Sequence, residues 1–168
     1  MSQEHFWKEF FRLKVHVNYL ELHLGRTENI DRALKIFLAI TSTGSIGAWA
    51  IWKEGAFIWG MLIATSQVLN AIRQFLPYKD RLRAISGLLN DMDELVLYAE
   101  MKWLDVASGK LSEDEIRKAL TDVRTRRLKA FKKHFSSSII PENNIFFNEA
   151  ENKAIAYFDN FYGQENEE

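Results

Sequence analysis

Along the first part of the chain apolar residues return every three or four positions: Phe6, Phe10, Leu13, Val17, Leu20 and Leu24 are spaced 4, 3, 4, 3 and 4. That is the repeat of one helical face. Gly25 follows, a residue on which helices often stop, so the pattern predicts an amphipathic helix ending there. From 36 to 52 and again from 56 to 72 the pattern changes, because neither stretch holds a charged residue and only Lys53-Glu54-Gly55 divides them. Each run has 17 residues, about 26 Å of helix at roughly 1.5 Å per residue, against a hydrocarbon core of about 30 Å. So short a link predicts two antiparallel helices, a transmembrane hairpin.

Beyond the hairpin the helical repeat resumes. Leu82, Ile85, Leu89, Met92, Val96, Ala99, Trp103 and Val106 alternate steps of 3 and 4, as in a coiled-coil seam. Leu88 and Leu95 widen that stripe, and Ser108-Gly109 ends it. Ser112 followed by Glu115 has the spacing of a capping box, with Ile116, Leu120 and Val123 opening the next helix, expected to run to about Phe135. The stretch 136–144, with Pro141, breaks the chain. Phe147, Ala150, Ala154, Tyr157 and Phe161 then predict a last helix ending at Gly163, before a frayed tail at 164–168. The fold class expected is all-α: an N-terminal amphipathic helix (1–32), a transmembrane hairpin (33–76) and a cytoplasmic helical, coiled-coil-like domain (77–168).

Charge orients the hairpin. Arg26, Arg32 and Lys35 precede it and Arg73, Lys79, Arg81 and Arg83 follow it, while its turn offers Lys53 alone. By the positive-inside bias both termini are cytoplasmic, with Trp49, Trp52 and Trp59 forming an interfacial belt at the turn. The mixed charges of 1–14 do not form a signal peptide. A buried hairpin in a soluble bundle is the competing reading, since Thr41, Ser42, Thr43, Ser45, Thr65, Ser66, Gln67 and Asn70 make both runs less greasy than a single-span anchor.

The 168 residues carry 22 Lys+Arg against 23 Asp+Glu, a net charge of −1, so an anionic partner would have to be met by a local patch. The absence of cysteine removes thiolate metal sites and cysteine nucleophiles. No phosphate-binding glycine loop, nucleophile elbow or HExxH occurs, and His16 and His23, seven apart, have no companion at metal-ligand spacing. The expectation is a non-enzyme with no cofactor.

Two constellations remain. Gln67, Asn70 and Gln74 share one face of the second run, Arg73 closes its end, and Thr41 and Ser45 form a matching strip on the first. Amides cannot face lipid unsatisfied. They are either glue between helices, helped by small residues at Thr43/Gly47, Gly44/Ala48 and Gly60/Ala64, or the lining of a pore, which two spans can enclose only in a homo-oligomer. The second constellation is 117–133, where Arg117, Lys118, Arg124, Arg126, Arg127, Lys129, Lys132 and Lys133 stand against Asp122 alone. It reads as a site for an anionic ligand such as a headgroup, nucleotide or oligonucleotide, or as a face neutralised by the seven acids of 141–168.

A two-span hairpin with tryptophans at its turn, an N-terminal helix carrying Phe6-Trp7 and a long heptad helix over 82–106 resembles the SLATT group of two-transmembrane effectors. The resemblance covers most of the chain and rests on layout. It implies a pore in the bacterial inner membrane that depolarises the cell in antiphage defence, as in the channel subunits of Hailong-type systems, together with a nucleotide-generating partner protein. The sequence therefore leads to a homo-oligomeric channel in the lipid bilayer, gated through its cytoplasmic domain. Pore-lining residues would be Thr41, Ser45, Gln67, Asn70, Arg73 and Gln74, and ligand-binding residues Arg124, Arg126, Arg127, Lys129, Lys132 and Lys133. The alternatives are a non-conducting membrane adaptor recruiting a soluble partner, and a soluble bundle.

Overall fold

The computed structural model describes residues 2–51, 56–73, 78–135, 140 and 142–163, with backbone alone for 42–51, 56, 59, 73 and 78. Among these residues the chain is all-helical: α1 (Ser2–Ile51), α2 (Ala56–Arg73), α3 (Tyr78–Ala107), α4 (Glu113–His134) and α5 (Asn144–Tyr162), with no strand. Lys53, Pro77, Pro141, the stretch 136–139 and the tail 164–168 lie outside the described residues. So do the side chains of the turn tryptophans and of the small residues at 43, 44, 47 and 48.

α1 departs from the sequence pattern at Gly25, where a helix end was expected. The helix runs on to Ile51 without a break. Glycine inside a helix costs only about 1 kcal/mol relative to alanine, too little to stop one by itself. Gly109, by contrast, has φ +68, the left-handed region that glycine enters freely, and it does end α3. At Ser112 the capping box is complete: the serine side chain accepts from the Glu115 amide, and the Glu115 carboxylate accepts from the Ser112 amide. The acids Glu113, Asp114 and Glu115 in the first turn and Lys132, Lys133 and His134 in the last both suit the helix dipole. Asn143 caps α5, its Oδ1 accepting from the amides of Ile145 and Phe146.

The chain forms two compact units, Met1–Leu24 with Arg83–Glu168, and Gly25–Leu82. In the first, 2–24 of α1 packs with α3, α4 and α5. Its core is the stripe expected of α1 (Phe6, Phe10, Leu13, Val17, Leu20) against Ile85, Leu88, Met92, Leu95, Val96, Ala99 and Val106 of α3, Ile116, Val123 and Ala130 of α4, and Phe158 of α5. Full burial of each large side chain contributes on the order of 1.5–3 kcal/mol. Trp7 anchors one end, its ring 4.6 Å from Trp103 and 4.8 Å from Phe158. Of the stripe expected on α5, Ala150 and Ala154 are buried, joined by Phe158, while Phe147 and Phe161 at its ends are exposed. The two alanines bring α5 close to Val15 of α1, where Asn18 donates to the Ala150 carbonyl.

In the second unit, no helix among the described residues is long and apolar enough to cross a membrane.

Candidate functional site

α2 exposes an apolar stripe and, further round the helix, two amides, while the rest of its circumference carries buried Ser66 with Leu62, Ile63 and Leu69 half-buried. Phe57, Met61, Val68 and Ile72 follow one another at helical spacing on one side and are 79, 60, 56 and 46 % exposed. Gln67, the neighbour of Val68 and so about 100° round the helix from it, and Asn70 are also exposed. Among the described residues neither amide takes a hydrogen bond, so neither ties one helix of the unit to another in that way. The hydroxyls nearby are satisfied locally: Thr41 donates to the carbonyls of Phe37 and Leu38, and buried Ser66 donates to that of Ile63. On the 25–51 part of α1, Ile36 and Ile40 are more than half exposed, and Asp31 pairs with Lys35 one turn on. Of the other residues expected to line a pore, Gln74 and the side chains of Ser45 and Arg73 lie outside the described residues.

The basic stretch falls on α4, and the structure shows what answers its charge. Glu9 of α1, 2 % exposed, takes Arg124 at 3.0 Å and Arg127 at 2.7 Å. Arg126 donates to Asp122 at 2.8 Å and lies over the Tyr98 ring, while the Tyr98 hydroxyl donates to the same carboxylate. That hydroxyl is the main cause of the lowered Asp122 pKa, ahead of Arg126. Lys133 and His134 both reach Asp91 on α3 at 2.9 Å, and Arg117 pairs with Asp114. The partners found are thus Glu9, Asp91, Asp114 and Asp122. Lys118, Lys129 and Lys132 are exposed and, among the described residues, make no ion pair. Lys129 and Lys133 border a shallow depression of about 400 Å³ with Asp91, Glu94, Tyr98 and Arg126, where acids and bases are mixed.

Glu9 was not singled out in the sequence, although a signal is there. It stands three residues after Phe6 and four before Leu13, on the apolar face of α1, where an acid needs a partner. Asp91 gave no such signal.

A second hollow, of about 630 Å³, opens between α1, α4 and the start of α5. His16, Tyr19 and Leu20 form one wall, Phe131 and Phe135 another, and Ile140, Glu142, Asn143, Asn144 and Phe147 the rim. Tyr19 is fixed from the rim side by the Asn143 amide, which donates to its hydroxyl at 3.0 Å. His16 Nδ1 is cut off from solvent with no hydrogen-bond partner among the described residues. Burial, then the charge of Arg127, lowers the His16 pKa, with the Arg12 carbonyl and Glu9 acting weakly the other way. Its ring is neutral near pH 7. These residues are spread from 16 to 147, and no local motif could announce them.

Near the other end of the bundle Glu100 accepts from the hydroxyls of Tyr157 and Tyr162, both at 2.9 Å. Burial and then Glu100 push Tyr157 up to about 12 and Tyr162 up as well. Among the described residues no cluster of three or more His, Asp or Glu could hold a metal ion. No family model, curated protein or solved structure matches this chain.

Proposed function

We propose that the protein is a homo-oligomeric membrane pore, with α2 turning its apolar side to lipid and Gln67 and Asn70 to a shared polar axis. The carrying observation is that α2 exposes both an apolar stripe and, further round the helix, Gln67 and Asn70. An apolar stripe in the open asks for lipid or protein cover. Amides that take no hydrogen bond among the described residues ask for water or a neighbouring copy. Several copies around an axis answer both demands at once. The uncharged run 36–52 supplies the second span, and the flanking bases set both termini on the cytoplasmic side of a bacterial inner membrane.

The SLATT-like layout extends this reading to an effector of antiphage defence, closed at rest and opened through its helical domain. An anionic trigger, nucleotide or oligonucleotide, would meet Lys118, Lys129 and Lys132 first, because Arg124, Arg126, Arg127 and Lys133 are already engaged by carboxylates. A second reading, a membrane adaptor that recruits a soluble partner, is favoured by Leu97, Met101 and Leu104, an exposed apolar stripe on α3.

Planar-bilayer recording of Asn70→Leu tests the pore. The expected result is a lower unitary conductance from oligomers of wild-type size. Loss of the oligomer with unchanged conductance in each surviving channel overturns it.

A further inference from the structure

We propose that the hollow between α1, α4 and the start of α5 is a binding site for a neutral, flat heteroaromatic molecule that offers a ring N–H to His16. Three observations meet there. The walls are aromatic, with Tyr19, Phe131, Phe135 and Phe147 around a space of about 630 Å³, within the 300–1,000 Å³ typical of small-ligand sites. Flat rings fill such a slot by stacking and edge contacts. Second, the lining holds acceptors that a ligand hydrogen can meet. The Asn143 Oδ1 and backbone amide are spent on capping α5 and on Tyr19; beside the NH2 groups of Asn143 and Asn144, the lining holds an imidazole and the Glu142 carboxylate as acceptors. A neutral imidazole always keeps one bare nitrogen, and a ligand that pairs with it brings the hydrogen. Third, Arg127 and Arg12 act on His16 electrostatically, which discourages a cationic ring at that end. The aromatic packing holds the lining in place: the His16 ring lies 6.5 Å from Phe131, and Tyr19 lies 4.5 Å from His23 and 6.4 Å from Phe147.

The test compares indole with benzothiophene, which has nearly the same shape and no N–H. Both are titrated calorimetrically against the full chain in nanodiscs, with empty nanodiscs subtracted. The expected result is saturable binding of indole at one site, roughly fivefold tighter than benzothiophene, the worth of one net hydrogen bond of about 1 kcal/mol. His16→Phe should erase that preference. Ile140→Trp, which fills the hollow from its rim, should abolish binding of both with no loss of melting temperature. No saturable binding of indole, equal affinity for the two rings in wild type, or undiminished binding to Ile140→Trp overturns the proposal.

Discussion

Gly87 and His134 fit each other by the absence of an atom: a Cβ at 87 would lie 2.6 Å from His134 Cε1 and 2.8 Å from Nδ1. The missing side chain lets the imidazole lie against α3, where its Nε2 sits 2.9 Å from Asp91. This tie joins the end of α4 to α3. Gly87→Ala gains about 1 kcal/mol of helix propensity, but it displaces the ring from a packed position, at about 1–3 kcal/mol, and breaks its contact with Asp91, at about 1 kcal/mol. The expected net change is a loss of roughly 1–3 kcal/mol. In a His134→Ala background the same substitution should instead stabilise by about 0.5–1 kcal/mol. Thermal melts of the four proteins in one cycle check this, and equal effects in both backgrounds would contradict it.

Glu9 divides the basic stretch into structural and available charges. Glu9→Gln leaves Arg127 short of its carboxylate, and with both arginines partly exposed the expected loss is about 2 kcal/mol, below the cost of breaking a fully buried pair. Lys118, Lys129 and Lys132 changed together to Gln should alter stability by no more than about 0.5 kcal/mol. The triple variant should also remove any steep salt dependence of binding to an anionic probe such as a short oligonucleotide. Melting temperature and a salt titration on each variant separate the two roles.

Tyr157 and Tyr162 set an alkaline limit. Both hydroxyl pKa values are raised in the folded chain by burial and then by Glu100, that of Tyr157 from 10.0 to about 12. A raised pKa means that the folded state holds its protons more tightly. The associated stability is whole below pH 10 and drains away as pH climbs towards 12. Glu100→Gln removes the charge and should make the decline between these pH values shallower. A melting temperature whose alkaline slope is unchanged in that variant would refute the assignment.

Much of the fold was legible because local rules and packing agree. The α1 stripe from Phe6 to Leu20, the seam of α3 and the Ser112 capping box each needed only spacing or a pair of side chains. Gly25 misled because the penalty of one glycine is small beside the packing that holds a helix. On α5 the pattern found Ala150 and Ala154 but ran on through Phe147 and Phe161, which are exposed, and missed buried Phe158; the close approach to Val15, more than a hundred residues away, is what places the two alanines inside. For the candidate site, the Gln67 and Asn70 face was readable from helical periodicity. That both are exposed and unbonded was not. Nor could the sequence pair Arg124 and Arg127 with Glu9, since charge runs show no partner until the helices are packed.

Substituted-cysteine accessibility tests the pore reading most directly, because the chain has no cysteine of its own to mask. Single cysteines at Phe57, Met61, Gln67, Val68, Asn70 and Ile72 would be reacted with a membrane-impermeant maleimide in proteoliposomes, before and after detergent. The account expects 57, 61, 68 and 72 to label only after detergent, and 67 and 70 to label before it, from water on the polar axis. All six labelling equally in intact proteoliposomes would contradict it.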